Sequence, residues 1–74
     1  MDFSTAFKAL KEGKKIKRKC WQGYWQKTKD VYNKEGKDTI FMHCKDGRVL
    51  DIRETQDVMF TIGNIAENDW EVVE

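Results

Sequence analysis

Residues 3–25 read FSTAFKALKEGKKIKRKCWQGYW, and the spacing of the apolar residues in this stretch changes at Gly13. Before the glycine, apolar residues recur at intervals of three and four: Phe3, Ala6, Phe7 and Leu10. This spacing predicts an amphipathic helix over residues 3–12, with Phe7 at the centre of its buried stripe. Gly13 ends the helix because glycine adopts the left-handed conformation without a Cβ clash.

The residues after the glycine follow a different period, because KKIKRKC at 14–20 alternates between two faces. Ile16, Arg18 and Cys20 share one face. Three lysines occupy the other face: Lys15, Lys17 and Lys19. Alternation of this kind predicts a short strand with one solvated face. Gly23 then allows a turn or a bulge before the chain continues.

The rest of the pattern predicts four further strands, over residues 25–32, 38–44, 48–52 and 70–73. A loop at 33–37 and the Asp46-Gly47 turn join the first three of them into a meander. Residues 60–67 predict a short helical turn before the last strand. The whole is one domain, 1–74, of the α+β class. Its N-terminal amphipathic helix packs on a small, mostly antiparallel sheet.

The size of the chain limits its core. The 74 residues, of which 39% are hydrophobic and 36% charged, suffice for one small domain. Because such a core is marginal, we expect a homo-oligomer, either a dimer or a tetramer. No run approaches the roughly 20 apolar residues of a membrane span, and no basic-then-apolar leader opens the chain. We therefore expect no membrane segment and no cleaved signal peptide.

Cysteine and histidine are too few for a disulfide framework or a metal centre. The chain holds two cysteines, Cys20 and Cys44, and one histidine, His43. We expect reduced thiols, no metal and no cofactor. His43 has no acid or nucleophile at a diagnostic spacing, so we expect a structural or surface role for it. No P-loop, GxGxxG, HExxH or CxxC motif is present, and an enzyme is the least favoured class.

The charges separate along the chain, although the formal net charge is only +1. Residues 1–53 hold all 14 Lys and Arg together with 7 of the 13 acidic residues. Residues 54–74 hold the other 6 acidic residues and neither Lys nor Arg. We expect the two parts to attract each other, within one chain or between chains. The basic part can also meet an anionic partner.

The densest feature lies between residues 8 and 25. Seven of the twelve residues from Lys8 to Lys19 are basic, and three aromatic residues follow: Trp21, Tyr24 and Trp25. Cations neutralise phosphates and aromatic faces stack on bases, so the combination favours a nucleotide or a nucleic acid. The alternative is that the lysines are solvated and the tryptophans belong to the core. Because the faces of a strand alternate, the three aromatic residues cannot all point inward.

Both ends of the chain carry a family resemblance. The opening DFSTAFKALKEGKKIKRKCWQG resembles the start of the small phage proteins of the second Thoeris anti-defence family. In that family an amphipathic helix leads into a basic strand that ends in Arg-Lys-Gly-Trp-Asn-Gly. The close, IAENDWEVVE, is similar to the family's Leu-Ala-Glu-Asp-Trp-Glu-Val ending. Lys45-Asp46-Gly47 stands where the family commonly has Ala-Asp-Gly.

The resemblance implies a function as well as a fold. Members of the family act as sponges, which assemble as oligomers, often tetramers, and hold nucleotide immune signals without cleaving them. These signals include cyclic ADP-ribose isomers and, for some members, cyclic dinucleotides; some relatives are anti-CRISPR proteins. The chain would then be a non-enzymatic phage protein that works in the cytoplasm of its bacterial host and binds a nucleotide second messenger.

The resemblance and the basic–aromatic segment together give a candidate ligand site. The residues expected there are Arg18, Lys19, Trp21, Tyr24, Trp25, Asn64 and Asp69. The first two would meet phosphates, one of the three aromatic residues would stack on a base, and either Asp69 or Asn64 would accept hydrogen bonds from ribose hydroxyls or the base edge. The chain departs from the motif where Cys20 replaces a glycine and Gln22 an asparagine, and Asn64 stands where an aspartate is common. We expect Trp70 to be a core anchor.

Other functions remain open at this stage. A protein-binding inhibitor of a host defence complex, such as a CRISPR nuclease, would use the acidic and basic parts for electrostatic complementarity. A general nucleic-acid-binding protein is a third candidate, which the acidic end disfavours.

Overall fold

The computed structural model describes residues 1–29, 38–55 and 57–73. In chain order its elements are α1 (Phe3–Lys11), β1 (Lys15–Arg18), β2 (Tyr24–Lys29), β3 (Asp38–His43), β4 (Val49–Asp51), a 3-10 turn (Ile52–Glu54), α2 (Val58–Ile65) and β5 (Trp70–Val73). The five strands form one sheet in the order β4-β3-β2-β1-β5, and every neighbouring pair is antiparallel. The predicted α+β class is confirmed.

Helix α1 begins at Phe3 as predicted and ends at Lys11, one residue before the predicted end. Asp2 caps its start, since the backbone N–H of Thr5 donates to the Asp2 carboxylate at 2.9 Å. At its other end Gly13 takes a φ of 91°. The helix packs on β1, β2 and β5 through the side that carries Ala6 and Leu10, which are both buried.

The predicted position of Phe7 is wrong. Its side chain is 36% exposed, with its ring stacked on Phe3 at 5.7 Å and the Lys11 ammonium 5.4 Å from the ring centroid. The buried stripe runs through Ala6 and Leu10, which leaves Phe7 at its border. The apolar spacing identifies the helix correctly, but only the position of the sheet decides which residue is at the centre.

The core lies between α1 and one face of the sheet. Its buried residues are Ala6, Leu10, Ile16, Trp25 and Trp70. Trp70 is 1% exposed, and its ring lies 5.1 Å from both Phe3 and Trp21, centroid to centroid. The expectation that Trp70 anchors the core is confirmed. An aromatic cluster therefore supplies much of the apolar area that so small a domain can bury.

Several predicted boundaries move by one to three residues. β1 ends at Arg18 because the chain turns there, with the Trp21 N–H donating to the Arg18 carbonyl at 3.0 Å. Cys20 consequently leaves the strand and is exposed, so it does not share a strand face with Ile16 as predicted. The ambiguous stretch 53–59 holds part of the 3-10 turn and the start of α2, which is a helix of eight residues.

Two turns were predicted between the meander strands. At the Asp46-Gly47 turn, Gly47 has a φ of 90° and the Cys44 N–H donates to the Arg48 carbonyl at 2.8 Å, which confirms the hairpin between β3 and β4. The loop predicted at 33–37, and residues 30–32 of the strand before it, lie outside the described residues.

The separated charges meet within the sheet, because basic β1 pairs with acidic β5. The Lys17 ammonium lies 3.5 Å from the Glu71 carboxylate, and the Arg18 Nε lies 2.8 Å from that of Asp69. The predicted attraction between the two parts of the chain therefore operates inside one molecule.

Neither helix in the described ranges is long and apolar enough to cross a membrane. Within the same ranges, no group of three or more His, Cys, Asp and Glu side chains is arranged to hold a metal ion. Cys20 and Cys44 both carry free thiols.

Candidate functional site

Three of the predicted ligand residues bind one another. The Arg18 guanidinium donates to both carboxylate oxygens of Asp69, at 2.8 and 3.1 Å, and to the amide oxygen of Asn64 at 2.5 Å. These hydrogen bonds hold the pKa of Asp69 below its ordinary value and raise that of Arg18. The geometry thus joins α2 to the strand pair β1–β5.

Asn64 is the centre of this hydrogen-bonded group. It is a buried polar residue, 3% exposed, and its side-chain amide donates to the Phe60 carbonyl at 2.9 Å. The Asn64 carbonyl accepts the indole N–H of Trp70 at 2.9 Å. The side-chain oxygen, the side-chain nitrogen and the backbone carbonyl of Asn64 are therefore all hydrogen-bonded inside the fold. These hydrogen bonds offset the cost of burying a polar side chain.

A cavity of about 430 Å³ opens beside this group, between the sheet and α2. Six of its lining residues are consecutive, from Cys20 to Trp25, and four more run from Met42 to Lys45. Leu50 and three residues of α2, Phe60, Thr61 and Asn64, complete the wall. Apolar and aromatic side chains dominate the lining, and Lys45 brings a positive charge. The described lining contains no carboxylate.

The shape of this cavity depends on Gly23. A Cβ at position 23 would collide with the carbonyl oxygen of His43 and would also contact the Cα of Cys44. Only glycine lets the start of β2 approach the end of β3 so closely. This approach brings the 20–25 segment and the 42–45 segment together as adjacent walls.

The family model for the Thoeris anti-defense 2-like domain, called Tad2-like, matches residues 1–73. The chain belongs to the Tad2-like family. The resemblance at the two ends of the sequence is thereby confirmed, and with it a phage anti-defence role. No curated protein matches the chain.

In this Tad2-like domain, the three predicted aromatic residues all border the cavity. Trp21 is half-buried, and its ring lies 5.5 Å from that of Trp25 and 5.1 Å from that of Trp70. Trp25 is only 5% exposed and belongs to the core. Trp21 is therefore the more accessible of the two tryptophans.

Tyr24 lies on the sheet face opposite Trp25, because neighbouring residues of a strand alternate. Its ring stacks on His43 at 4.4 Å, and the Lys15 ammonium lies 4.7 Å from the Tyr24 ring centroid. Partial burial, and secondarily the positive charge of Lys15, lower the pKa of His43 below its ordinary value.

The predicted polar residues divide into two groups. Asn64 lines the cavity, whereas Arg18, Lys19 and Asp69 do not. Lys19 is exposed, and its backbone N–H donates to the Asp69 carbonyl at 3.0 Å. The sequence motif that marks the family is thus partly a structural motif, since it fastens β1 to β5 and α2.

Four of the fourteen lining residues were predicted from the sequence, and the other ten, which include Lys45 and Phe60, were missed. Phe60 is 62% exposed although it borders an apolar cavity. A signal for it does exist in the sequence. Residues 58–60 are three consecutive apolar residues, and one face of a helix cannot bury all of them.

Proposed function

We propose that this Tad2-like domain binds an anionic nucleotide immune signal, a cyclic ADP-ribose isomer or a cyclic dinucleotide, and sequesters it without cleaving it in the cytoplasm of the bacterial host. The observation that carries the proposal is the cavity of about 430 Å³, with aromatic walls and no carboxylate in its described lining. Its volume is typical of small-molecule sites, and its lining suits a base attached to phosphates.

Trp21 supplies the stacking surface in this proposal. Its ring is held from two sides, by Trp25 and Trp70, and it remains half-buried beside the open cavity. An aromatic ring already fixed in place loses little side-chain freedom when a ligand binds. Stacking on such a ring contributes roughly 1–3 kcal/mol per base.

The electrostatics of the site support an anionic ligand. Lys45 lines the cavity, and exposed Lys19 lies two residues before Trp21 in the chain. Two acidic residues at the C-terminal end of the sheet are already paired, Asp69 with Arg18 and Glu71 with Lys17. Phosphates therefore meet available cations at the rim without an unpaired carboxylate in the described wall.

A subunit interface completes the pocket in this proposal. Binding sites cover most of a ligand's surface, and an open cavity on a 74-residue domain is too small to enclose a dinucleotide alone. We therefore propose a homodimer or homotetramer in which a second copy covers the ligand.

Calorimetry with cyclic ADP-ribose isomers and with cyclic dinucleotides tests the proposal. Trp21→Ala should weaken binding by roughly tenfold to more than a hundredfold. Phe7→Ala is the matched control, because it removes an aromatic ring that is partly exposed and does not line the cavity. Ligand released by heat should be chromatographically unaltered. A converted product would indicate an enzyme, and equal affinities of the two variants would remove Trp21 from the site.

One observation favours a second candidate, a protein-binding inhibitor of a host defence complex. α2 exposes Val58, Met59 and Ile62, at 56%, 78% and 53% respectively. Contiguous exposed apolar side chains mark interaction surfaces. Failure to bind any nucleotide, combined with stoichiometric binding to a purified host defence protein, would select this alternative.

A further inference from the structure

Phe60 is a large apolar residue that is mostly exposed to solvent, although it lies beside an apolar cavity. It borders the cavity, yet 62% of the residue is open to solvent. Within the described ranges its ring stacks on no other aromatic ring, whereas Trp21 contacts both Trp25 and Trp70. Four apolar residues of α2 are strongly exposed: Val58, Met59, Phe60 and Ile62. Of these four, Phe60 alone lines the cavity.

The backbone of Phe60, in contrast, is held firmly. Its N–H donates to the Asp57 carboxylate at 2.9 Å, and its carbonyl accepts from the Asn64 amide at 2.9 Å. Asn64 is in turn bonded to Arg18 on β1. The ring therefore projects from a fixed point of the cavity wall, while its own rotamer is not restrained by aromatic neighbours.

We propose that Phe60 closes over the planar ring system of the ligand and holds it against the tryptophan wall formed by Trp21 and Trp25. This inference rests on the proposed function and assigns the second stacking residue of the same site. The ligand group it selects is a nucleobase, because a planar ring between two aromatic faces makes van der Waals contact on both sides. Such a sandwich needs roughly 7 Å between the flanking rings, twice the contact distance of carbon atoms.

The arrangement gives each wall a different task. The tryptophan wall is packed into the core and is present before the ligand arrives. The Phe60 ring is exposed without ligand and becomes buried with it, so its apolar surface leaves water only on binding. Phe60 thus contributes to ligand affinity and hardly to the stability of the free domain.

A set of three variants tests this inference: Phe60→Ala, Phe60→Trp and the control Met59→Ala. Met59 is the adjacent residue, more exposed at 78%, and does not line the cavity. All three variants should melt within a few degrees of the parent chain, since neither side chain is packed. Calorimetry with a cyclic ADP-ribose isomer and a cyclic dinucleotide should show roughly tenfold to a hundredfold weaker binding for Phe60→Ala. Phe60→Trp should retain binding, and Met59→Ala should stay within about twofold.

An anionic aromatic dye, 8-anilinonaphthalene-1-sulfonate, separates this inference from the proposed function. If the parent chain binds the dye and no nucleotide, the proposed function fails, while weaker dye binding by Phe60→Ala alone still supports Phe60 as a closing residue. If a nucleotide or the dye binds and Phe60→Ala matches Met59→Ala, the inference about Phe60 is overturned. If the parent chain binds neither probe, both are overturned.

Discussion

The Nη1 group of Arg18 on β1 donates a hydrogen bond to the amide oxygen of Asn64 on α2 at 2.5 Å, across 46 residues of chain. The same amide holds the carbonyl of Phe60, at the wall of the cavity. The family motif at the start of the sequence is thereby connected to the helix that completes the candidate site. The Arg18–Asn64 hydrogen bond therefore holds α2 in its orientation relative to β1.

Asn64→Ala should destabilise the domain by roughly 1–3 kcal/mol, because it leaves a donor of the Arg18 guanidinium without its partner in a partly buried position. Urea unfolding measures the change. Lys19→Ala is the matched control, since Lys19 is exposed next to Arg18 and its hydrogen bond to the Asp69 carbonyl comes from the backbone N–H, which alanine retains. Identical midpoints for the two variants would show that the Arg18–Asn64 bond adds nothing to stability.

Two glycine substitutions should act in opposite directions. Gly23→Ala places a Cβ against the His43 carbonyl and should cost about 1–3 kcal/mol or more, because two strands must separate. Gly63→Ala adds a Cβ in open space within α2 and should stabilise the domain by about 0.5–1 kcal/mol. Thermal unfolding of both variants is the measurement. A stable Gly23→Ala domain would contradict the close approach of β2 and β3.

Leu10→Ala and Phe7→Ala should differ strongly although both lie on α1. Leu10 is 1% exposed and its truncation should cost roughly 2–5 kcal/mol. Phe7 is 36% exposed, and we expect a loss of about 1 kcal/mol from its partial burial. Chemical denaturation ranks the two. The reverse order would mean that Phe7, and not Leu10, faces the sheet.

Acid should destabilise the domain between about pH 4 and pH 2. Hydrogen bonds from Arg53 lower the pKa of Asp51 from 3.8 to about 2. A carboxyl with a lowered pKa in the folded state stabilises the fold above its unfolded pKa, and this contribution is lost as the pH falls through the folded value. Denaturation midpoints across this range should fall less steeply for Asp51→Asn than for the parent chain. Parallel curves would remove Asp51 from the explanation.

Sedimentation at micromolar concentration should show a dimer or a tetramer of the 8.8 kDa chain. The physical reasons are the small core and the exposed apolar residues of α2 that share one side of the helix, Val58 and Ile62. Val58→Asp should shift the distribution towards the monomer, because a charge is costly inside an apolar interface. A parent chain that sediments as a clean monomer would contradict the oligomer and the shared pocket together.

Local signals in the sequence predict the fold well. Gly13 and Asp46-Gly47 determine a helix end and a turn through backbone conformation alone, and both appear where expected. The alternation around Ile16 likewise predicts a strand. Phe7 is different, because its burial depends on how α1 is rotated against a sheet that is assembled from distant segments.

The candidate site is less accessible to sequence reasoning. Trp21 is identified as an aromatic residue beside a basic strand, and it does border the cavity. Arg18 and Asp69 carry the same charge signal, but they are 51 residues apart and their pairing appears only once β1 lies beside β5. The apolar run at 58–60 indicates that one of its residues is exposed, but Phe60 lines the cavity through the placement of α2, which that run does not determine.

The pairing of β1 with β5 has a consequence for the polyelectrolyte behaviour of the domain. The positive charges of Lys17 and Arg18 are already paired with carboxylates of the same chain, those of Glu71 and Asp69. A basic strand that binds a nucleic-acid backbone gains most of its free energy by displacing condensed salt ions, and its affinity therefore falls steeply with ionic strength. Here the neighbouring carboxylates would have to be displaced as well, and the loss of these ion pairs opposes binding. We therefore expect long RNA and DNA to bind this strand poorly.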